Sequence, residues 1–133
     1  MLRALAALAA AASLIGCGIS DDRAQARAVV ERFLDAVRAG DGEAACAQLG
    51  ESTVRALETQ SGQACERVIT RLEHEGGAVT RTRVYITSAI VELRGGERAF
   101  LDRGPEGWRI SAVGCRPQDG PPQAYPMACE AEA

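Results

Sequence analysis

Residues 81–115 read RTRVYITSAIVELRGGERAFLDRGPEGWRISAVGC, and apolar letters recur there at nearly every second position. A period of two marks strands that bury one face. Thr82, Val84 and Ile86 alternate with Arg81, Arg83 and Tyr85. After a turn near Thr87 and Ser88, residues Ala89, Val91 and Leu93 share one parity, with Glu92 and Arg94 on the other. The run Arg94-Gly95-Gly96-Glu97 predicts a two-residue hairpin, because glycine accepts the positive φ that such turns demand. Ala99 and Leu101 follow, opposed by Arg98 and Asp102. Gly104-Pro105-Glu106-Gly107 predicts another tight turn, with proline presetting φ at its second position. The last strand then sets Trp108, Ile110 and Ala112 against Arg109 and Ser111. Four antiparallel strands with one apolar face are implied, and that face needs a cover.

The cover lies upstream, where the period is helical. Val29, Val30, Phe33, Leu34 and Val37 recur at three- and four-residue spacing, behind Ser20, Asp21 or Asp22 as caps, and Gly40 ends the run. Asp41 caps a short second helix through Ala45, Cys46 and Leu49, closed by Gly50. Ser52 caps a third with Val54 and Leu57. A fourth runs from about Gly62 through Ala64, Cys65, Val68, Ile69 and Leu72 to the Gly76-Gly77 pair. All four apolar stripes are narrow, so each helix needs a partner surface. The expectation is an α+β domain over residues 22–116, with N-terminal helices packed on a four-stranded antiparallel sheet. From Arg116 onward, Pro117, Pro121, Pro122 and Pro126 predict a tail without regular structure over residues 117–133.

The N-terminus reads as an address. Met1 to Arg3 make a minimal positive start, and residues 4–15 are apolar apart from Ser13, about half the length that a spanning helix needs. Leu14-Ile15-Gly16-Cys17 resembles the lipobox of bacterial lipoproteins. That resemblance implies a diacylglyceryl thioether on Cys17, cleavage before it, a signal peptide over 1–16, and an anchor and linker over 17–21. Two acyl chains hold a protein on a bilayer almost permanently. The alternative is ordinary cleavage within residues 9–13, which leaves Cys17 as a spare thiol. Cysteine parity favours lipidation, which consumes one of five cysteines and leaves an even number for an oxidising compartment. Four cysteines allow three pairings. Near neighbours in the chain pair as Cys46 with Cys65 and Cys115 with Cys129, the first joining two helices and the second pinning the tail.

The helix broken at Gly-Asp and restarted, FLDAVRAGDGEAACAQL over residues 33–49, precedes a hairpin sheet closing in GWRISAVGC over 107–115. Together they resemble the nuclear-transport-factor-2-like superfamily, and more narrowly small actinobacterial lipoproteins of unknown function with this cysteine placement. The resemblance implies a curved sheet wrapped around a long first helix to form a cone. Superfamily members often place a short strand after the second helix, whereas residues 51–75 here read as helix. The superfamily holds ketosteroid isomerases and polyketide cyclases beside pure binding domains, so chemistry rests on residues.

Composition removes several chemistries. The 133 residues carry 15 basic groups, all arginine, against 18 acidic ones, and contain neither lysine nor asparagine. There is no Schiff-base lysine, no phosphate-binding Gly-Lys-Ser/Thr loop and no glycosylation sequon. Mild negative charge disfavours a nucleic-acid partner. A hydrolase needs a nucleophile with a histidine. His74 is the sole histidine, it sits between Glu73 and Glu75 near a helix end, and no Gly-x-Ser-x-Gly turn surrounds Ser52, Ser61, Ser88 or Ser111. The cysteines lack zinc-ligand spacing, so neither metal nor cofactor is expected. Glu92 and Asp102 fall on the outward parity and, with Glu97, read as a solvated face. Arg81, Arg83, Arg94, Arg98 and Arg109 lie on the same polar parity, where guanidinium groups engage carboxylates or phosphates. Phe33, Tyr85 and Trp108 are the candidates for a pocket lining. The function expected is a membrane-anchored, extracytoplasmic, non-catalytic module that binds a small ligand or a protein. The alternative is a small-molecule enzyme of the isomerase or cyclase type using the cone pocket.

Overall fold

In the computed structural model, residues 18–73, 76–117 and 127–133 are described. The signal over 1–16, Cys17, His74 and the prolines at 121, 122 and 126 lie outside them. Helix α1 spans Ile19–Ala39, α2 Gly42–Cys46, α3 Glu51–Ser61 and α4 Cys65–Val68, continued by one 3₁₀ turn over Ile69–Arg71. Strands β1 (Val79–Val84), β2 (Ser88–Leu93), β3 (Arg98–Gly104) and β4 (Gly107–Pro117) form an antiparallel meander. Two short strands, β5 (Met127–Ala128) and β6 (Ala131–Glu132), both pair with β4.

Helix α1 begins earlier than its capping residues predict. Its N-cap is Gly18, whose carbonyl accepts from the amides of Asp21 and Asp22, and those two acids sit in the first turn where the helix dipole favours them. Residues 19–21, expected as linker, are therefore helix. Gly40 ends α1 in the left-handed conformation at φ 69°. Asp41 caps α2 through its side chain, which accepts from the amide of Ala44 at 3.0 Å. In α3 the cap is Gly50 rather than Ser52, and Gly50 N donates instead to Ile110 O at 2.8 Å. The fourth helix is shorter than its apolar stripe suggests, beginning at Cys65 and tightening to 3₁₀ after Val68. The disulfides Cys46–Cys65 and Cys115–Cys129 are both present, the first tying α2 to α4 and the second tying the tail to β4.

Ala26, Val29, Val30, Phe33 and Leu34 of α1 pack on one face of the sheet against Ala89, Val91, Leu93, Ala99, Leu101, Trp108 and Ile110. The apolar parity of the central strands is thus the buried one. Three local expectations fail. Ile86, in phase with Val84, lies past the end of β1 in the turn and is 91% exposed. In β4 the register slips twice between Arg98↔Cys115 and Leu101↔Ile110, so the inward positions after Ile110 are Val113 and Cys115 rather than Ala112. Extra residues in one strand of a pair bend it and reset its parity. Gly114, at φ 69°, sits where a Cβ would meet Glu130 Cγ at 2.6 Å. The third concerns the first glycine hairpin, which holds three loop residues, Arg94, Gly95 and Gly96, since Leu93 N donates to Glu97 O at 2.8 Å and Glu92 pairs with Arg98. A two-residue loop would have set Leu93 opposite Arg98 and Val91 opposite Phe100, putting an arginine on the apolar face. The slip that avoids this turns Glu97 inward, to 1% exposure, where sequence parity with Ala99 and Leu101 also puts it.

The sheet has six strands instead of four, and the tail is not irregular throughout. The Cys115–Cys129 disulfide holds the chain alongside β4, where Glu130 N donates to Val113 O and Ala133 N to Ser111 O. Pro117 comes last in β4, where its missing N–H breaks no continuing ladder.

Candidate functional site

Of the three aromatic candidates, Phe33 and Trp108 share one core and Tyr85 stands apart. Phe33 and Trp108 are core residues, at 0% and 3% exposure, while Tyr85 is 52% exposed at the start of the β1–β2 connection. Arg103 lies over the Trp108 ring at 4.7 Å and also pairs with Asp22, so this strand end is tied to the start of α1. Among the described residues no group of three His, Cys, Asp or Glu side chains is placed to hold a metal ion.

Of the five sheet arginines, three are committed to carboxylates. Arg83 and Arg98 both pair with Glu92 on the outer face, and Arg109 with Glu106. Cross-strand pairs of this kind are what a solvated face provides. Arg81 and Arg94 form no ion pair with another described residue. The expectation that no carboxylate points inward is overturned by Glu97. Its Oε2 lies 3.5 Å from Arg116 Nη2, and Arg116 Nη2 donates to the Glu73 carbonyl at 3.4 Å.

Surface grooves separate by charge. One of about 300 Å³ between α1 and the chain entering β1 contains Arg27, Glu31, Asp35 and Arg38, in which Arg27–Glu31 and Arg38–Asp35 neutralise each other. A second, of about 210 Å³ beside Trp108, contains Arg32, Glu106 and Arg109. A third, of about 320 Å³, lies between the first turns of α1 and the edge strand β1. Ser20, Arg23, Ala24, Arg27, Thr80, Arg81 and Thr82 line it, three arginines with no acid. Arg23 and Arg81 form no ion pair with another described residue, and Thr82 Oγ1 is buried with no hydrogen-bond partner among them. A guanidinium presents several donors in a planar fork, so this groove offers a donor-rich seat for an anion and no carboxylate to repel one. Sequence reasoning missed Arg23, although Arg23 and Arg27, four apart, share one face of any helix built there.

No protein-family model, curated protein or solved structure matches the chain.

Proposed function

We propose that this chain is an extracytoplasmic lipoprotein, held on the outer face of the cytoplasmic membrane by a lipid on Cys17, whose domain works by binding rather than by catalysis. The observation that carries the anchor is the use of cysteine: four of the five are joined as Cys46–Cys65 and Cys115–Cys129, and the fifth is the one that ends Leu14-Ile15-Gly16-Cys17. Two disulfides fit an oxidising compartment. Among the described residues no helix is long and apolar enough to cross a membrane. The arginine-lined groove between α1 and β1 is the binding surface. A cone of the nuclear-transport-factor-2-like kind is the finer reading of the fold, supported by α1 lying against β1, β2 and β4.

A second reading, an isomerase or cyclase, is favoured by one observation, the inward carboxylate of Glu97. Against it, Glu97 faces the Arg116 guanidinium and lines none of the three grooves described above. Metabolic labelling with a fatty-acid probe tests the principal reading: wild type takes up label and Cys17→Ala does not. Equal labelling of the two overturns the anchor.

A further inference from the structure

We infer that the groove between α1 and β1 holds the phosphate of an anionic phospholipid headgroup in the membrane to which the chain is attached, an inference that rests on the anchored-lipoprotein reading above. Arg23, Arg27 and Arg81 supply the charge, and Ser20, Thr80 and Thr82 complete the lining. Arg27 is shared with Glu31 and the Thr80 hydroxyl with the carbonyl of Glu92, which leaves Arg23 and Arg81 as the cations of the lining with no carboxylate partner among the described residues.

The place of the groove selects a lipid over a free anion. Its first lining residue, Ser20, stands three positions after Cys17, so a lipid on that cysteine holds this end of α1 at the bilayer surface. The β1–β2 connection is at the same end. Arg103 joins the two, pairing with Asp22 of α1 while its amide donates to Thr87 O at 2.8 Å. In that connection stand Tyr85 and Ile86, the exposed large hydrophobics of the described chain. Ile86 lies four residues beyond Thr82, at most about 13 Å along the chain. An almost fully exposed isoleucine beside a tyrosine, next to unpaired arginines, is the composition that inserts at the boundary of headgroups and acyl chains. The chain is net negative, so attraction to an anionic leaflet has to be local, and this groove without acids provides it.

The test uses full chains carrying Cys17→Ala, which no lipid can anchor, titrated with vesicles of phosphatidylcholine alone or of phosphatidylcholine mixed with phosphatidylglycerol. The N-terminal segment, with its positive Met1 to Arg3 start, is the same in every variant, so the change in anionic preference between variants reports the groove. Arg23→Gln with Arg81→Gln is expected to weaken that preference about fivefold per arginine, roughly 25-fold for both. Arg55→Gln with Arg67→Gln removes the same charge from α3 and α4 and is expected to leave it within about twofold. In an Ile86→Trp variant the added indole emission shifts to the blue on anionic vesicles. The proposal is overturned by equal binding to the two compositions, by equal losses in the two double variants, by an unshifted emission from the Ile86→Trp variant, or by a groove that takes inorganic phosphate while ignoring vesicles. Fatty-acid labelling of the wild-type chain stands apart. Labelling without vesicle preference removes the groove and keeps the anchor, and a preference that falls with Arg23→Gln and Arg81→Gln but comes without labelling does the reverse.

Discussion

Glu97 is 1% exposed, and its Oε2 lies 3.5 Å from Nη2 of Arg116, whose own side chain is 37% exposed. A carboxylate taken this far from water needs the cation near it, and the cost of removing one partner exceeds the net worth of the pair. Arg116→Met alone is expected to destabilise the domain by about 1–3 kcal/mol. Replacing both, Glu97→Leu with Arg116→Met, is expected to cost less than the two single changes added together. Thermal unfolding of the four proteins closes the cycle, and strict additivity would show that the two side chains are not coupled.

Thr53 is fully buried in α3, and its hydroxyl lies 3.2 Å from Ile110 O and 3.1 Å from Ser111 O, pinning the helix to β4. Thr53→Val keeps the shape and removes the donor, for an expected loss of about 1–2 kcal/mol in urea denaturation. Thr53→Ser is expected to retain most of the stability that the valine loses. If both variants fall equally, packing of the methyl rather than the hydroxyl holds this contact.

Gly42 opens α2 against α4 so closely that a Cβ would stand 2.0 Å from the carbonyl oxygen of Glu66. The obstacle is backbone, and the Cys46–Cys65 disulfide beside it limits how far the helices can separate. Gly42→Ala is expected to cost about 3 kcal/mol or more. Gly50→Ala, where the nearest atom is 3.6 Å from the new Cβ, is expected to stay under about 1 kcal/mol. Comparable midpoints for the two variants in chemical denaturation would contradict the close approach.

The Cys115–Cys129 disulfide closes a loop of 14 residues in sequence separation and holds the segment that supplies β5 and β6. Cys115→Ala with Cys129→Ala is expected to cost about 3 kcal/mol in the chain-entropy account and to open residues 127–133 to proteolysis. The Cys46–Cys65 link, with a separation of 19, is expected to contribute a similar amount. Peptide mapping under non-reducing conditions checks the pairing, and crossed pairs or free thiols would refute it.

The sequence by itself determined the order of the elements: helices first, then a meander whose inward positions are Ala89, Val91, Leu93, Ala99 and Leu101. It also determined the break at Gly40 and the cap at Asp41, and nearness along the chain favoured the two disulfide pairs among three possible pairings. These follow from the period of apolar residues, from the left-handed backbone that glycine tolerates and from nearness along the chain, all of them local properties. Only the tertiary structure decided the rest. Whether the glycine hairpin has two loop residues or three depends on which register keeps Arg98 off the apolar face. Parity with Ala99 already turns Glu97 inward, and the tertiary structure supplied its partner Arg116, 19 residues away in the chain. The slips of β4 against β3, which exchange Ala112 for Val113, and the pairing of β5 and β6 with β4 are likewise set between strands. The groove is non-local too. Arg23 and Arg81 are 58 positions apart, and they share a lining because α1 lies along the edge strand β1.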